Sequence, residues 1–300
     1  MGISQYIREI GRGKEGARSI TRAQAADLFG QLLDGTVTDL EIGGFCLAMR
    51  IKGETPQELA GFLDATEARL QRISASQPVV VLPSYNGARK LPGLLPLLVL
   101  LLTREGLPVL VHGMPTESSR VYTSEILSAF GISAQAAIEP ILPGQAQFVP
   151  TSLLHAGLQR LLEVRRVIGL RNPAHSLVKL MNPVAGPALI ISSYTHPEYA
   201  QSMAATLTLM QANALLLRGT EGEPVADARR LPQMDGFVGG QRVLQQATQG
   251  GSLLALPELP PGPDAIATID YIRATLDGRN PVPAPIATQV ERILHLYQQL

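Results

Sequence analysis

A short apolar strand, a polar loop and a helix follow one another between residues 109 and 132, and this unit constrains the fold most. The segment reads VLVHGMPTESSRVYTSEILSAFGI. The β-branched and leucine run ends at His112 and Gly113. A helix is expected to begin near Ser119 or Thr123. In open α/β sheets ligands bind at such loops, because backbone N–H groups and helix N-termini converge there.

Strands and helices alternate on both sides of this unit. An apolar strand at 79–82 and an apolar helix at 91–104 precede it, and apolar strands at 188–192 and 213–218 flank a further helix after it. Parallel strands need a crossover connection that usually contains a helix, which is the arrangement found here. The pattern predicts an α/β fold with βαβ units and a mostly parallel central sheet.

In the N-terminal part of the chain the apolar residues have helical spacing, and no strand pattern is present. Apolar residues recur there at positions that share one helix face. Three threonines stand where helix N-caps are expected: Thr21, Thr38 and Thr55. We predict a small helical domain at residues 1–74 and a larger α/β domain at 78–300. A helical insertion dense in arginine, at 152–183, is expected to pack near the helical domain.

Composition excludes several classes of protein. With 45% hydrophobic and 17% charged residues among 300, the chain can bury a sizeable core and is not of the disordered type. The single cysteine, Cys46, excludes a disulfide framework, and no Cys/His cluster has zinc spacing. The first residues lack the apolar core of a signal peptide, and the apolar run at 91–102 is too short for a bilayer. We expect a cytoplasmic protein without a membrane partner.

Basic residues are segregated along a chain whose net charge is zero. The windows 1–22, 83–104 and 155–180 hold 13 of the 25 basic residues and three acidic ones. Segregation of this kind can give a neutral protein a basic face that binds nucleic acid. Three ordinary solvated surfaces would produce the same counts, so both interpretations stay open at this point.

The order of these elements resembles the anthranilate phosphoribosyltransferase family, which includes nucleoside phosphorylases of similar architecture. Family members carry a KHGNR motif, a serine-rich loop, a helix and AFGI; here His112-Gly113 and the AFGI of 129–132 keep the same separation. A second family pattern, RTLFN followed by LINP, corresponds to RNPAH at 171–175 and LMNP at 180–183. The resemblance covers nearly the whole chain and implies a small N-terminal helical domain with a larger α/β domain.

The same resemblance identifies the positions at which family members hold a diphosphate and its Mg²⁺. Phosphates lie there on glycine backbone, and carboxylates hold the metal. In this sequence PSYNGA at 83–88 replaces the glycine motif, GLLP at 93–96 replaces NIST, Val111 replaces a lysine, and Glu223-Pro224 replaces an Asp-Glu pair. Gly87, His112 and Gly113 remain as a remnant phosphate pocket. We assign no catalytic residue, no metal ligand and no cofactor.

Longer matches resemble the YbiB-like branch of the family. IREIGRGK at 7–14 and PSYNGARK at 83–90 are specific to this branch. Similarity to this branch implies a homodimer, joined through the helical domains, that binds nucleic acid in a basic groove without strong sequence preference. The cations expected to contact phosphates are Arg12, Lys14, Arg89, Lys90, Arg120, Arg165, Arg166, Arg171 and Lys179.

We therefore predict a non-catalytic protein that binds nucleic acid, DNA or RNA, on a degenerate phosphoribosyltransferase scaffold. Lysine and arginine side chains that neutralise phosphates release condensed counterions, which gives affinity without sequence preference. One alternative is a Mg-dependent phosphoribosyltransferase or glycosyltransferase of altered specificity, with Glu221 and Glu223 as candidate metal ligands. A third hypothesis is a small-anion sensor that uses the remnant pocket.

Overall fold

A helical bundle forms the N-terminal part of the chain. The computed structural model describes residues 2–13, 15–251 and 253–300, so Lys14, one of the predicted phosphate contacts, lies outside the described residues. The bundle helices are α1 (Ser4–Ile10), α2 (Arg22–Asp34), α3 (Asp39–Lys52) and α4 (Pro56–Glu67). The rings of Phe29, Phe45 and Phe62 pack against one another in its core, with centroids 4.7 to 6.3 Å apart.

Capping boxes set the starts of α2, α3 and α4. In each, the threonine side chain accepts a hydrogen bond from the third helical N–H, and the Gln or Glu at that position accepts from the threonine N–H. These threonines are the predicted caps Thr21, Thr38 and Thr55. The buried Glu58 also accepts from the N–H of Ile20 at 3.0 Å and pairs with Lys52 at 2.6 Å. This last cap therefore connects three segments of the bundle.

Among the described residues, seven strands form one sheet. They are β1 (Val79–Ser84), β2 (Val109–Gly113), β3 (Ala146–Pro150), β4 (Ala188–Tyr194), β5 (Ala214–Arg218), β6 (Met234–Val238) and β7 (Gln241–Gln246). Their order is β3-β2-β1-β4-β5-β6-β7, with parallel pairing from β3 to β5 and antiparallel pairing beyond β5. The predicted α/β fold with a mostly parallel sheet is confirmed.

Three strands, β3, β6 and β7, differ from the sequence-based prediction, which did not include them. They lie at or near the two edges of the sheet, where burial on both faces no longer produces a continuous apolar run. β6 contains Asp235 and Gly236, and most of β7 is exposed. Gly239 and Gly240 form the turn between them with φ of 54° and 77°, a conformation that glycine adopts without a steric penalty.

The remaining helices cover the sheet and extend the bundle. They are α5 (Leu95–Arg104), α6 (Thr123–Ser128), α7 (Thr151–Leu154), α8 (Ala156–Ile168), α9 (Ala174–Leu177), α10 (Pro197–Leu209), α11 (Ala265–Leu276) and α12 (Ala284–Tyr297). In the arginine-rich insertion, α8 packs on α2, and the Arg160 guanidinium donates to the carbonyl of Leu32 at 3.0 Å. Within the described chain no helix has both the length and the apolar character needed to cross a bilayer.

The strand order places a topological switch point beside β1. The chain passes from β1 to β2 on one side, whereas β4 pairs with β1 on the other side. In open parallel sheets the loops at such a point diverge and leave a crevice at the carboxyl ends of the strands. The loops after β1, β2, β4 and β5 therefore meet at one edge, next to the arginine-rich insertion.

Candidate functional site

The loop after β1 presents two consecutive backbone N–H groups to one carboxylate. The amides of Asn86 and Gly87 donate to Glu223 Oε1 at 2.7 and 3.0 Å. The hydroxyls of Ser84 and Thr123 donate to Glu223 Oε2 at 2.5 and 3.3 Å, and Glu223 is 5% exposed. Consecutive N–H groups that converge on an anion form a nest of the kind that binds phosphate. Here a side chain of the protein itself fills the nest.

A second row of N–H groups in the same loop is filled in the same way. The amides of Arg89 and Lys90 donate to the Glu221 carboxylate at 2.6 and 3.0 Å, and that of Leu91 donates at 3.4 Å. Glu221 has a φ of 52°, a left-handed conformation that costs a non-glycine residue about 1 kcal/mol or more. The three hydrogen bonds offset this strain, so the loop after β5 is held against the loop after β1.

Lys179 fixes the loop that carries both glutamates. Its Nζ donates to the carbonyl of Gly222 at 2.9 Å and to that of Ser193 at 3.2 Å. Burial lowers the pKa of Lys179 to about 8, and the charge of Glu223 opposes this shift. The Lys179 ammonium group thus joins β4 to the 219–224 loop through main-chain carbonyls.

Three arginines surround the carboxylate of Glu117 in the loop after β2. Arg165 Nη2 lies 2.6 Å from Oε1, Arg120 Nε lies 3.2 Å from Oε2, and Arg171 Nη2 lies 3.7 Å from Oε1. Partial burial alone would raise the pKa of Glu117, but the hydrogen bonds from Arg165 and Arg120 outweigh it and the pKa is lowered. One negative charge therefore neutralises only part of this group, which we call the arginine cluster.

The arginine cluster continues into neighbouring loops. Arg166 Nη2 donates to the carbonyl of Pro115 at 3.1 Å, and Arg171 Nη2 donates to Asn86 Oδ1 at 3.0 Å. Burial and then the nearby charge of Arg165 lower the pKa of Arg171. Because Asn86 belongs to the loop after β1, hydrogen bonds join the insertion to the loops after β1 and β2.

Comparison with known proteins identifies the scaffold. A family model described as the glycosyl transferase family, helical bundle domain, matches residues 4–69. The chain is 39% identical to the uncharacterized protein YbiB of Escherichia coli, over 97% of this chain and 92% of that protein. It is 26% identical to the anthranilate phosphoribosyltransferase of Methylobacterium nodulans, over 91% of this chain and 82% of that one. The chain belongs to the anthranilate phosphoribosyltransferase-like family.

Solved structures of the anthranilate phosphoribosyltransferase-like family share the fold. The anthranilate phosphoribosyltransferase of Thermus thermophilus superposes with a TM-score of 0.71 at 21% identity, covering 95% of this chain and 85% of that one. The Saccharomyces cerevisiae enzyme, solved in complex with PRPP and Mg, superposes with a TM-score of 0.71 at 13% identity, covering 99% and 89%. At these identities the likeness establishes the architecture alone and does not establish the chemistry of the site.

The three residues of the predicted remnant phosphate pocket take two different places in this family fold. Gly87 lies in the nest, with a φ of 65° and its N–H bound by Glu223. His112 is fully buried, 2.9 Å from the hydroxyl of Tyr85, and burial lowers its pKa to about 3. Gly113 is in close contact with the carbonyl of Ser84, where a side chain would not fit. All three residues are buried, but Gly87 lies in the loop after β1, whereas His112 and Gly113 lie within β2.

The predicted phosphate-contacting cations also divide into groups. The arginine cluster and Arg166 come together, and the exposed Arg89 and Lys90 follow Asn86 in the adjoining loop. Arg12 is exposed at the end of α1 and pairs with Glu9 at 2.6 Å, and none of its described contacts joins it to the cluster. Lys179 is engaged by the carbonyls named above. The predicted cations therefore come together mainly at the cluster and in the loop after β1.

Two features of the described residues concern the binding of small ligands and metal ions: a cavity, and the pair formed by Glu221 and Glu223. A cavity of about 430 Å³ opens between the α3–α4 turn and the end of β4, with Arg50, Arg171 and Tyr199 in its wall. The described residues include no group of three or more His, Cys, Asp or Glu side chains arranged to hold a metal ion. Because Glu221 and Glu223 accept hydrogen bonds from backbone N–H groups, the pair does not fit Mg²⁺, which binds free carboxylate oxygens.

The sequence did not indicate the structural roles of Glu117 or of the pair Glu221 and Glu223. Glu117 carries no local motif; its sole sequence signal is Arg120 three positions later, the spacing of an ordinary ion pair. Glu221 and Glu223 were considered as metal ligands, whereas they fill N–H rows that lie 130 to 137 positions away along the chain. Neither arrangement follows from spacing, because both depend on which loops the strand order brings together.

Proposed function

We propose that this protein binds nucleic acid without strong sequence preference and does not catalyse phosphoribosyl transfer. One observation carries the proposal: the anion-binding N–H groups at the sheet edge are filled by the protein's own glutamates, while the cations beside them are only partly neutralised. Such a surface cannot cradle a free diphosphate in its nests, yet it attracts a phosphate backbone.

The filled nests argue against a transferase. The yeast relative was solved with PRPP and Mg. In this chain the amides of Asn86 and Gly87 and of Arg89 and Lys90 are already bound by carboxylates. A donor diphosphate would have to displace a 5% exposed glutamate that accepts four hydrogen bonds. Without those donors and without Mg²⁺, little is left to stabilise a departing pyrophosphate.

Surplus positive charge on the outer loops favours a polyanion. Three guanidinium groups, those of Arg120, Arg165 and Arg171, face the single carboxylate of Glu117. Arg166 adds a fourth, bound to the carbonyl of Pro115 in the same loop. Arginine forks match phosphate oxygens in a bidentate way and need no particular base. The resemblance of IREIGRGK at 7–14 and PSYNGARK at 83–90 to the YbiB-like branch implies the same function.

An exposed apolar stripe supports a homodimer formed through the helical bundle. Leu40, Leu47 and Ile51 on α3 are 87%, 51% and 59% exposed, and nothing lies within 4 Å of a Cβ built on Gly43 between them. Adjacent exposed apolar groups on one helix face are typical of protein interfaces, and a small residue allows close approach. A two-fold dimer would place a second arginine cluster on the same particle and lengthen the basic surface.

The test is an oligonucleotide titration followed by fluorescence anisotropy at several salt concentrations. We expect single- and double-stranded oligonucleotides to bind at low salt, with affinity that falls steeply as salt rises. Arg165→Glu/Arg166→Glu should abolish binding. The matched control is Arg273→Glu/Arg279→Glu, the same charge change on exposed residues near α11, which should lose far less. Light scattering on the same samples should give twice the mass of one chain.

Two outcomes would contradict the proposal. Absence of binding at low salt, or a binding constant that does not change with salt, would mean that phosphate contacts do not drive association. Release of pyrophosphate from PRPP in the presence of Mg²⁺ would instead favour the transferase hypothesis.

A further inference from the structure

We propose that Glu117 is a built-in competitor that occupies a phosphate position in the arginine cluster, and that a nucleic-acid phosphodiester binds by displacing it. The inference rests on the proposed function, because it specifies how the same surface receives its ligand. The arginine cluster is then a single-phosphate site, and Glu117 sets its affinity.

The contacts of Glu117 are those that a phosphodiester would make. Its Oε1 lies 2.6 Å from Arg165 Nη2, and its Oε2 lies 3.2 Å from Arg120 Nε. A phosphodiester also presents two charged oxygens on one atom, so the same guanidinium donors can bind it in a bidentate way. Carboxylate and phosphodiester carry the same single negative charge, and exchange between them leaves the charge balance of the cluster unchanged.

The cluster has binding capacity that Glu117 leaves unused. Arg165 Nη1 is buried and has no hydrogen-bond partner among the described residues, although a buried donor without a partner is costly. Arg171 reaches the carboxylate only at 3.7 Å and is 39% exposed, which leaves its guanidinium open to solvent. A phosphate between these two groups would gain contacts that the carboxylate does not make.

The structure allows the Glu117 side chain to leave while its backbone stays. The Tyr122 hydroxyl accepts from the N–H groups of Thr116 and Glu117 at 2.9 and 2.7 Å and donates to the Glu117 carbonyl at 2.7 Å. The Glu117 side chain is 25% exposed, so rotation about its own bonds brings the carboxylate into water. Displacement therefore requires a rotamer change and no rearrangement of the loop.

Two variants of Glu117 and one matched control test the inference in the anisotropy titration with a single-stranded oligonucleotide. Glu117→Gln should bind about tenfold more tightly than the unchanged protein, since one competing charge-assisted contact is lost. Glu117→Asp keeps the charge but withdraws the carboxylate from the guanidiniums, and it should also bind more tightly. Glu125→Gln removes an exposed charge from the nearby α6 and should change affinity less than about twofold.

The slope of affinity against salt separates displacement from simple charge removal. If phosphate displaces Glu117, the same number of phosphates is neutralised with and without it, and the slope stays unchanged. The inference is overturned if Glu117→Gln binds no more tightly than Glu125→Gln, or if its slope becomes steeper by about 0.7 or more, the contribution of one added phosphate contact. Binding by the unchanged protein reports on the proposed function alone, so failure of either idea can be recognised separately.

Discussion

Two neighbouring regions of the molecule use carboxylates differently: in one they satisfy their donors completely, and in the other the carboxylate leaves positive charge unneutralised. At the loop after β1, Glu221 and Glu223 bind backbone N–H groups, and each carboxylate accepts at least three hydrogen bonds. In the arginine cluster, the single carboxylate of Glu117 faces three guanidinium groups. The first region is closed to external anions, whereas the second retains positive charge at the surface.

The difference lies in the type of donor. Backbone amides are fixed by the fold and carry only partial charges, so one carboxylate satisfies two or three of them completely. Guanidinium groups carry full charges and five N–H donors each, so a single carboxylate leaves most of their capacity unused. A region of the first type contributes to stability, whereas a region of the second type attracts ligands.

Among the changes that test this difference, Glu223→Ala should lower the free energy of unfolding most. The change leaves the amides of Asn86 and Gly87 without acceptors in a buried place and removes the negative charge nearest Lys179. We expect the free energy of unfolding to fall by about 3–5 kcal/mol, because two buried N–H donors lose their acceptor and the buried ammonium of Lys179 loses an attracting charge. Urea unfolding measures it. A loss below about 1 kcal/mol would show that water replaces the carboxylate and that the nest is not closed.

A smaller loss of stability should come from acid, because the buried neutral His112 of β2 contacts Tyr85 in the loop after β1. Burial lowers the pKa of His112 to about 3, so its stabilisation is present above the unfolded pKa of about 6.5 and is lost as pH falls toward 3. Between pH 7 and 5 this one residue should lower the free energy of unfolding by about 2 kcal/mol.

The measurement is urea unfolding at both pH values for the unchanged protein and for His112→Asn, which does not titrate and can still form a hydrogen bond with the Tyr85 hydroxyl. The variant should lose about 2 kcal/mol less between pH 7 and 5. Equal losses in the two proteins would mean that His112 is solvated or charged in the folded state.

The smallest loss of stability should come from Glu221→Ala. Glu221 is partly exposed, so water can reach the amides of Arg89, Lys90 and Leu91 once the carboxylate is gone. The change also replaces a residue held at a φ of 52° without removing that strain. We expect a loss of about 1 kcal/mol in urea unfolding. A loss as large as that of Glu223→Ala would show that both N–H rows are equally closed.

Local signals made part of the fold predictable. The caps at Thr21, Thr38 and Thr55 depend on residues three positions apart, and the central strands are continuous apolar runs, so both are visible in the sequence. β6 and β7 lack such a signal, since one contains Asp235 and the other is mostly exposed.

The candidate site was less predictable, because its contacts join distant parts of the chain. The basic window at 155–180 contains Arg165 and Arg171, which face one carboxylate in the structure, but charge counts do not say which acid they meet. Glu117 is 48 positions from Arg165, and Glu223 is 137 positions from Asn86. The strand order and, for Arg165, the packing of α8 bring these pairs together, and both are properties of the whole fold.

The free edge of the sheet bears on how copies of the chain meet in solution. β7 ends the strand order, pairs with β6 through an irregularity at Gly236 and Phe237, and exposes Gln241 and Arg242. An unpaired edge strand can act as a template for a strand of another molecule, and both a bulge and a charged side chain oppose this. Polymerisation through this edge of the sheet is therefore disfavoured.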